Sequence, residues 1–158
     1  MRAPALITLT AALVLAADQA SKYAVVVAME LRTQGAIPVW PPFLQFRMAW
    51  NQGINFGLFG GGGDAQRWAL IAIAVIIAAA LAVWGARQPD RLTPIACGVI
   101  IGGAVGNAID RVIWGAVADF LNVSCCGLDN PYSWNIADGA IFLGVIALIF
   151  APGSKKGA

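Results

Sequence analysis

Three acidic residues, Asp110, Asp119 and Asp138, stand in or beside segments that are otherwise apolar. Arg111 is the neighbouring cation, and one guanidinium compensates only one or two carboxylates. A cluster of these groups would therefore carry surplus negative charge. Two carboxylates in close approach cannot both ionise readily, so one holds a proton while the other stays charged. We therefore predict that Asp119 and Asp138 supply one acid and one base.

An aspartate pair of this kind suits the hydrolysis of an amide bond. The ionised carboxylate takes a proton from water, which attacks the carbonyl carbon, and the protonated partner donates to the carbonyl oxygen and later helps the leaving amine depart. This reaction requires no metal and no cofactor, and we predict neither. A serine and lysine pair, with Ser124 or Ser133 beside Lys22, is the alternative that uses another nucleophile.

Other residue types restrict the chemistry further. The chain contains no histidine, which excludes a Ser-His or Cys-His nucleophile, an HExxH zinc helix and an imidazole proton shuttle. Cys97, Cys125 and Cys126 lack the spacing of metal ligands, and we assign them no role. The net charge of +2 comes without a Lys/Arg-rich tract that interleaves aromatic residues, so no nucleic acid partner is expected.

The composition places these residues in a membrane protein. Hydrophobic residues make up 59% of the 158 positions, charged residues make up 11%, and the mean hydropathy is +0.76. A helix needs about 20 mainly apolar residues to cross the bilayer. Four segments meet this requirement. We predict an all-α membrane protein, a single integral membrane domain over residues 1–158, with four transmembrane helices at about 4–29, 68–86, 93–113 and 134–151.

The basic residues of the short loops predict the orientation in the membrane. With four spans, one side receives all of Arg2, Arg87, Arg91, Lys155 and Lys156. That side is the cytoplasm, so both termini are predicted to be cytoplasmic and residues 30–67 and 114–133 to lie outside. The N-terminal apolar run also fits a cleaved secretory signal peptide, but apolar residues resume after the polar patch as YAVVVAM, which favours a retained helix.

On this topology the polar residues of the spans meet at one depth, near the extracytoplasmic surface. They are Asp18, Lys22, Asn107, Asp110, Arg111, Asp119, Asn135 and Asp138. Within each helix a spacing of three or four positions places them on one face. A purely structural interpretation also exists, in which Asp18 pairs with Lys22 and Asp110 pairs with Arg111 only to make these charges tolerable in lipid.

The segment between the first two predicted spans has a pattern of its own. Residues 44–50 alternate apolar and polar side chains, which is the period of a half-buried strand, and Asn51, Gln52 and Gly53 then form a predicted turn. We therefore predict a small extracytoplasmic β-sheet that lies on the membrane surface.

Five motifs of the chain resemble, in the same order, those of one known family. They are DQASK (Asp18–Lys22), NQGINFG (Asn51–Gly57), GGAVGNAIDR (Gly102–Arg111), VADF (Val117–Phe120) and NIAD (Asn135–Asp138). Over nearly its whole length the chain resembles lipoprotein signal peptidase, the type II signal peptidase of bacteria. The family often has Phe before the last motif, where this chain has Trp134 and so keeps an aromatic ring.

The resemblance implies an aspartyl protease of the bacterial cytoplasmic membrane that removes the signal peptide of a prolipoprotein, cutting just before a diacylglyceryl-modified cysteine. It assigns the catalytic pair to Asp119 and Asp138. It implies supporting or substrate-binding roles for Asn107, Asp110, Arg111, Asn135, Asp18, Lys22, Asn51 and Gly53. It also implies an extracytoplasmic sheet with a short surface helix at about 37–59. We expect a monomer that contacts membrane lipid and its lipidated substrate.

Two other classes of function are compatible with a small four-helix membrane protein. A proton-coupled carrier would relay protons through buried aspartates, although such sites tend to lie near the bilayer midplane in chains with repeated halves. A structural membrane subunit would need no catalysis. If the chain is a peptidase, the long outer segment around Phe56 is expected to clamp over its substrate.

Overall fold

The structure, a computed structural model, describes residues 1–53, 63–125 and 130–152. Within these residues the chain forms helices α1 (Ala3–Lys22), α2 (Leu31–Gln34), α3 (Asp64–Gly85), α4 (Leu92–Trp114) and α5 (Ile136–Ile149), and strands β1 (Ala36–Trp40), β2 (Leu44–Asn51) and β3 (Val117–Val123). A π-helical segment, Tyr23–Ala28, continues α1. The predicted clamp around Phe56, the second half of the NQGINFG motif, Cys126, Lys155 and Lys156 lie outside the described residues.

Three helical segments are long and apolar enough to cross a membrane. They are Ala3–Ala28, Asp64–Gly85 and Leu92–Trp114. The fourth apolar helix, α5, has 14 residues, which at about 1.5 Å per residue extends roughly 21 Å and falls short of a hydrocarbon core of about 30 Å. A fourth span at this position therefore stays a prediction.

Helix α4 is the centre of the helical bundle, because its glycines allow other helices to approach closely. A Cβ atom at Gly102 would lie 2.6 Å from the carbonyl oxygen of Ala11 in α1. A Cβ atom at Gly103 would lie 2.5 Å from the carbonyl oxygen of Ala137 in α5. Close backbone contact through small residues is a common way for helices to associate in lipid. The helix that carries Asp110 is thus packed directly against the helices that carry Asp18 and Asp138.

The side chain of Asp90 stabilises the turn between α3 and α4. The carboxylate of Asp90 accepts hydrogen bonds from the backbone N–H of Thr93 at 2.7 Å and from its hydroxyl at 2.9 Å. These bonds, the backbone bond first, lower the pKa of Asp90. The first bond satisfies one of the amide groups that the first turn of α4 would otherwise leave unpaired.

A three-stranded antiparallel sheet, in the order β1-β2-β3, lies at the end of the bundle where α4 ends and α5 begins. Ala49 of β2 is opposite Asp119 of β3, and Asn51 is opposite Val117. Its apolar side packs on the end of the first helical segment in a cluster of Val25, Val26, Leu31, Ala118 and Phe120. The sheet is thereby fixed to the bundle beside the polar groups.

One prediction about this region is wrong in part. The sheet is not confined to the segment between the first two spans, because β3 comes from the residues after α4 that were expected to be a loop. Strand β2 pairs with β1 along one edge and with β3 along the other. The sequence around β2 cannot show that a distant segment pairs with its second edge. A short helix, α2, lies between the first two predicted spans and precedes the sheet. The expectation of a short helix within about 37–59 includes residues 54–59, which lie outside the described residues, so it stays a prediction.

Candidate active site

Asp119 is the most deeply buried member of the predicted catalytic pair, with 3% of its surface exposed. Its Oδ1 accepts a hydrogen bond from Asn135 Nδ2 at 2.7 Å, and its Oδ2 accepts one from Asn51 Nδ2 at 3.2 Å. Burial raises the pKa of Asp119 to about 7, and the charge of Asp138 acts in the same direction. The two amide hydrogen bonds and the charge of Lys22 oppose this shift.

Asp138 lies in the first turn of α5 and is partly exposed. Its Oδ1 accepts a hydrogen bond from Asn107 Nδ2 at 2.8 Å. Its backbone N–H donates to Asn135 Oδ1 at 2.9 Å, which makes Asn135 the N-cap of α5. The position of Asp138 is therefore fixed by both a side-chain amide of α4 and the cap of its own helix.

Asn135 links the two aspartates. Its Nδ2 group donates to Asp119 and also lies 3.2 Å from Asn107 Oδ1, while its Oδ1 accepts from the backbone of Asp138. Asn107 in turn donates to the Asp138 carboxylate. A continuous chain of amides therefore connects one carboxylate to the other. The structure brings together Asp119, Asp138, Asn107, Asn135 and Asn51 from β3, α5, α4 and β2.

Lys22 is the centre of a second, adjoining polar cluster. Its Nζ lies 2.8 Å from Asp18 Oδ2 and 2.7 Å from Asp110 Oδ2, and all three side chains are fully buried. Nζ also lies 3.4 Å from Asn107 Oδ1, which joins this cluster to the amides beside Asp138. The predicted pair of Asp18 with Lys22 is present, but it has a third member from α4.

The pairing of Asp110 with Arg111 is a wrong prediction. Adjacent residues on a helix point about 100° apart, so Asp110 faces α1 and Lys22 instead. Arg111 donates from Nη1 to the carbonyl oxygen of Asn107 at 3.3 Å. In the described part of the chain it makes no ion pair within 4.0 Å, and its buried Nε has no hydrogen-bond partner.

Asn51 and Gly53 form the predicted turn after β2. The backbone N–H of Gly53 donates to Asn51 Oδ1 at 3.2 Å, which orients the amide so that its Nδ2 group points at Asp119. Gly53 itself does not contact either aspartate in the described part of the chain. A Cβ atom at Gly53 would collide with the amide nitrogen of Gln66, so the turn is packed against the start of α3.

Several groups of the site are absent from the sequence-based prediction. Gln19 Nε2 donates to Asp18 Oδ2 and Asp110 Oδ1, both at 3.1 Å. The backbone N–H groups of Ala137 and Ala118 donate to Asp18 Oδ1 at 3.0 Å and to Asp110 Oδ2 at 3.2 Å. Gln19 could have been found, because an amide next to Asp18 in an apolar helix requires a polar partner. Backbone donors leave no signal in a sequence.

A cavity of about 470 Å³ opens beside Asp138. Its lining consists of Trp134, Asp138, Gly139, Phe142 and Leu143, all from α5 or the residues just before it. Apart from the carboxylate, these groups are apolar. Phe142 and Leu143 are largely exposed on the outside of the bundle. Asp138 can therefore be reached through an apolar passage along the outer face of α5.

The described residues contain no group of three or more His, Cys, Asp or Glu side chains that could hold a metal ion. The side chains described at the site are carboxylates, amides, the Lys22 ammonium group and the Arg111 guanidinium group. Ser124 and Ser133, the alternative nucleophiles, bond to Asn122 and to the carbonyl oxygen of Arg47 and make no hydrogen bond to Lys22 in the described residues.

The sequence and fold of the chain match those of known proteins. Residues 10–152 match the family model described as signal peptidase (SPase) II. The chain belongs to the signal peptidase II family. A lipoprotein signal peptidase of Rhodopseudomonas palustris (strain TIE-1) is 44% identical over 145 residues, which cover 90% of this chain and 88% of that protein. One of Methylobacterium sp. (strain 4-46) is 42% identical and covers 89% and 84%.

Solved structures agree with this assignment. A bacterial membrane enzyme determined by the in meso method at 1.9 Å is 30% identical, with a TM-score of 0.77, and the match covers 94% of this chain and 93% of the other. Membership of the signal peptidase II family makes the chain a peptidase and, together with its apolar helices, a multi-pass protein of the inner membrane. The predicted family resemblance is thus confirmed, while the roles of individual residues stay predictions.

Proposed function

We propose that this chain is a membrane-embedded aspartyl endopeptidase that removes the signal peptide from diacylglyceryl-modified prolipoproteins, cutting on the N-terminal side of the lipidated cysteine. Family membership supports the reaction and the class of substrate. The observation that supports the aspartate mechanism is the amide chain through Asn135 and Asn107, which holds Asp119 and Asp138 at one site.

In the proposed mechanism, Asp119 is the acid and Asp138 is the base. A pKa of about 7 keeps a proton on much of Asp119 near neutral pH. The Asp138 carboxylate takes a proton from a water molecule, whose oxygen attacks the scissile carbonyl carbon, and Asp119 gives its proton to the carbonyl oxygen. As the tetrahedral intermediate collapses, the C–N bond breaks, the proton on Asp138 passes to the departing amine of the lipidated cysteine, and the hydroxyl proton of the intermediate returns to Asp119.

The supporting residues hold this geometry in place. Asn51 and Asn135 orient the Asp119 carboxyl group, and Asn107 orients Asp138. The cluster of Lys22, Asp18 and Asp110 joins α1, α4 and the first turn of α5 below the site. Arg111 has a supporting role in this proposal, because its Nη1 donates to the carbonyl oxygen of Asn107 beside Asp138. Such preorganised donors stabilise charge that develops during reaction.

We further propose the arrangement in the membrane that this reaction needs. The chain is a single domain with four spans, both termini are cytoplasmic, and the aspartates lie near the extracytoplasmic surface, where the scissile bond of a membrane-embedded signal peptide would emerge. The apolar cavity beside Asp138 opens toward lipid and would admit such a substrate from the side. The enzyme acts as a monomer surrounded by membrane lipid and needs no cofactor or metal.

The test is cleavage of a lipidated precursor by the purified protein in proteoliposomes. We expect Asp119→Asn and Asp138→Asn each to fold and to lose at least about 10³-fold in kcat, because either change removes one of the two proton-transfer groups. Asp64→Asn is the matched control, since the Asp64 side chain is 87% exposed and its ion-pair partner is Arg67, which is not one of the site residues. A metal chelator should leave the wild-type rate unchanged.

Three outcomes would contradict the proposal. Cleavage that survives in either aspartate variant would exclude the pair as the catalytic groups. Cleavage at a bond other than the one before the lipidated cysteine would exclude the substrate assignment. A wild-type protein that binds but never cuts would favour a carrier or a structural subunit.

A further inference from the structure

The connection from β3 to α5 carries a buried side chain that the catalytic proposal does not use. Asn122 lies near the end of β3 and is 0% exposed. Burying an amide is costly unless its polar atoms find partners. The hydrogen-bond partners of Asn122 therefore indicate its structural role.

The amide of Asn122 joins the two ends of the connection. Its Nδ2 group donates to the carbonyl oxygen of Asn130 at 2.8 Å and to that of Tyr132 at 2.9 Å. Its Oδ1 accepts from Gln45 Nε2 at 3.1 Å and from the Ser124 hydroxyl at 3.2 Å. Since carbonyl oxygens only accept, the orientation of the amide is fixed by its partners.

The segment that Asn122 binds leads directly to the catalytic residues. Trp134 pairs with Leu121 in both directions, through N–H to O bonds of 3.0 and 2.8 Å. Asn135, the next residue, caps α5 and donates to Asp119, and Asp138 lies in the first turn of the same helix. The pairing of Trp134 with Leu121 sets the register of this segment against β3. This register therefore determines that Asn135, and not a neighbouring residue, lies beside Asp119.

One further backbone bond supports this register in the described residues, from the Phe120 N–H to the Trp134 carbonyl oxygen at 3.1 Å. Before Trp134, the described residues 130 and 132 bond to β3 through side chains. The Asn122 amide donates to the carbonyl oxygens of Asn130 and Tyr132, and Asn130 Nδ2 donates to that of Val123 at 3.0 Å. A slip of one residue in a strand turns its side chains to the opposite face. Here a slip would replace Asn135 with Trp134 or Ile136 beside Asp119.

We propose that Asn122 is a positioning residue that fixes the register of the segment entering α5 and so holds Asp138 in place against Asp119. The assignment rests on the proposed function, because the consequence of the register is catalysis by this pair. In the described residues Asn122 makes no hydrogen bond to either aspartate, and it acts through the backbone of Asn130 and Tyr132, which precede Trp134.

The test uses Asn122→Ala in the full-length protein, with Asn122→Ser made in parallel so that a milder variant is measured if the alanine variant does not fold. Gln45→Ala is the matched control, because it removes a donor to Oδ1 and leaves both donations to the carbonyl oxygens. Two quantities are measured: steady-state cleavage of a lipidated precursor in proteoliposomes, and amide hydrogen exchange along the chain.

We expect Asn122→Ala to lower kcat by about 10- to 100-fold with KM within about threefold, because displacement of the base affects the chemical step more than binding. Exchange of the Trp134 amide should become about tenfold faster, since two hydrogen bonds that hold its segment are lost. Asn122→Ser should show the same changes to a smaller degree. Exchange in α1 and α4 should not change, and Gln45→Ala should stay within about twofold of wild type.

Unchanged exchange at Trp134 in the Asn122 variants would overturn the proposal. A loss of activity with equally faster exchange in α1 and α4 would also overturn it, because that result would indicate general destabilisation. If the wild-type protein does not cleave, the proposed function fails by itself. The exchange measurement then still decides whether Asn122 holds the register.

Discussion

At the scale of single residues, two aspartates in different surroundings can perform different roles. Asp119 is buried on a strand beneath two amide donors, while Asp138 is partly exposed at the edge of an apolar cavity. Burial disfavours the charged form and raises the pKa of Asp119, which supports its proposed role as the acid. The partly exposed carboxylate of Asp138 is the group that can meet water. In the proposed mechanism, the surroundings and not the residue type distinguish the acid from the base.

The raised pKa of Asp119 predicts the pH dependence of cleavage. Because the acid must be protonated, kcat/KM should fall by about tenfold per pH unit as pH rises above about 7. The hydrogen bond from Asn51 lowers this pKa, so Asn51→Ala should move the alkaline limb of the profile to higher pH, whatever its effect on the maximum. A limb that stays above pH 9 in the wild-type protein, or that moves to lower pH in the variant, would contradict this assignment.

The same shift has a consequence for stability. The pKa of Asp119 is higher in the folded chain than the value of about 3.9 in an unfolded one, so the folded state binds the proton more tightly. The stabilisation from this group is complete below about pH 4 and is lost as pH rises to about 7. Asparagine cannot ionise, so Asp119→Asn does not lose stability as pH rises, and we expect this variant to fold at neutral pH.

At the scale of elements, the polar clusters join helices that apolar packing alone would leave free to rotate. Lys22 of α1 reaches Asp110 of α4, and Asp18 accepts the backbone N–H of Ala137 at the start of α5. Glycines of α4 bring the three helices close enough for these short contacts. The orientation of α5, and hence of Asp138, thus depends on a buried ion cluster outside the catalytic pair.

This arrangement predicts that Lys22→Met destabilises the protein by about 3 to 5 kcal/mol, because it leaves two buried carboxylates without their cation. The triple variant Asp18→Asn, Lys22→Met, Asp110→Asn should recover much of that loss. Asp64→Asn, which removes an exposed pair, should change stability by less than about 1 kcal/mol. Thermal unfolding in detergent measures all three, and a Lys22→Met variant as stable as the wild type would exclude the cluster as a helix clamp.

The sequence predicted some contacts of these elements and missed others for identifiable reasons. Asp18 and Lys22 were paired correctly because four positions on one helix share a face. Asp110 was assigned to Arg111, its neighbour in sequence, because its true partner lies on another helix. Strand β3 was taken for a loop because its pairing with β2 joins residues about 70 positions apart, and no local pattern reports such a partner.

At the scale of the whole molecule, the proposed catalytic pair lies where the sheet meets the helical bundle. The sheet packs on one end of the bundle and contributes Asp119 and Asn51, while the bundle contributes Asp138 and Asn107. The pair therefore forms only when sheet and helices are assembled. The apolar cavity beside Asp138 faces outward along α5, which supports the proposed approach of the substrate from lipid.

The proton that we propose on Asp119 can be tested directly by infrared difference spectroscopy of the protein in proteoliposomes. We predict a C=O stretch from a protonated carboxyl group that disappears with a midpoint near pH 7, is lost in Asp119→Asn, and is retained in Asp64→Asn. Absence of such a band in the wild-type protein, or its persistence in Asp119→Asn, would contradict the acid and base pair on which the mechanism depends.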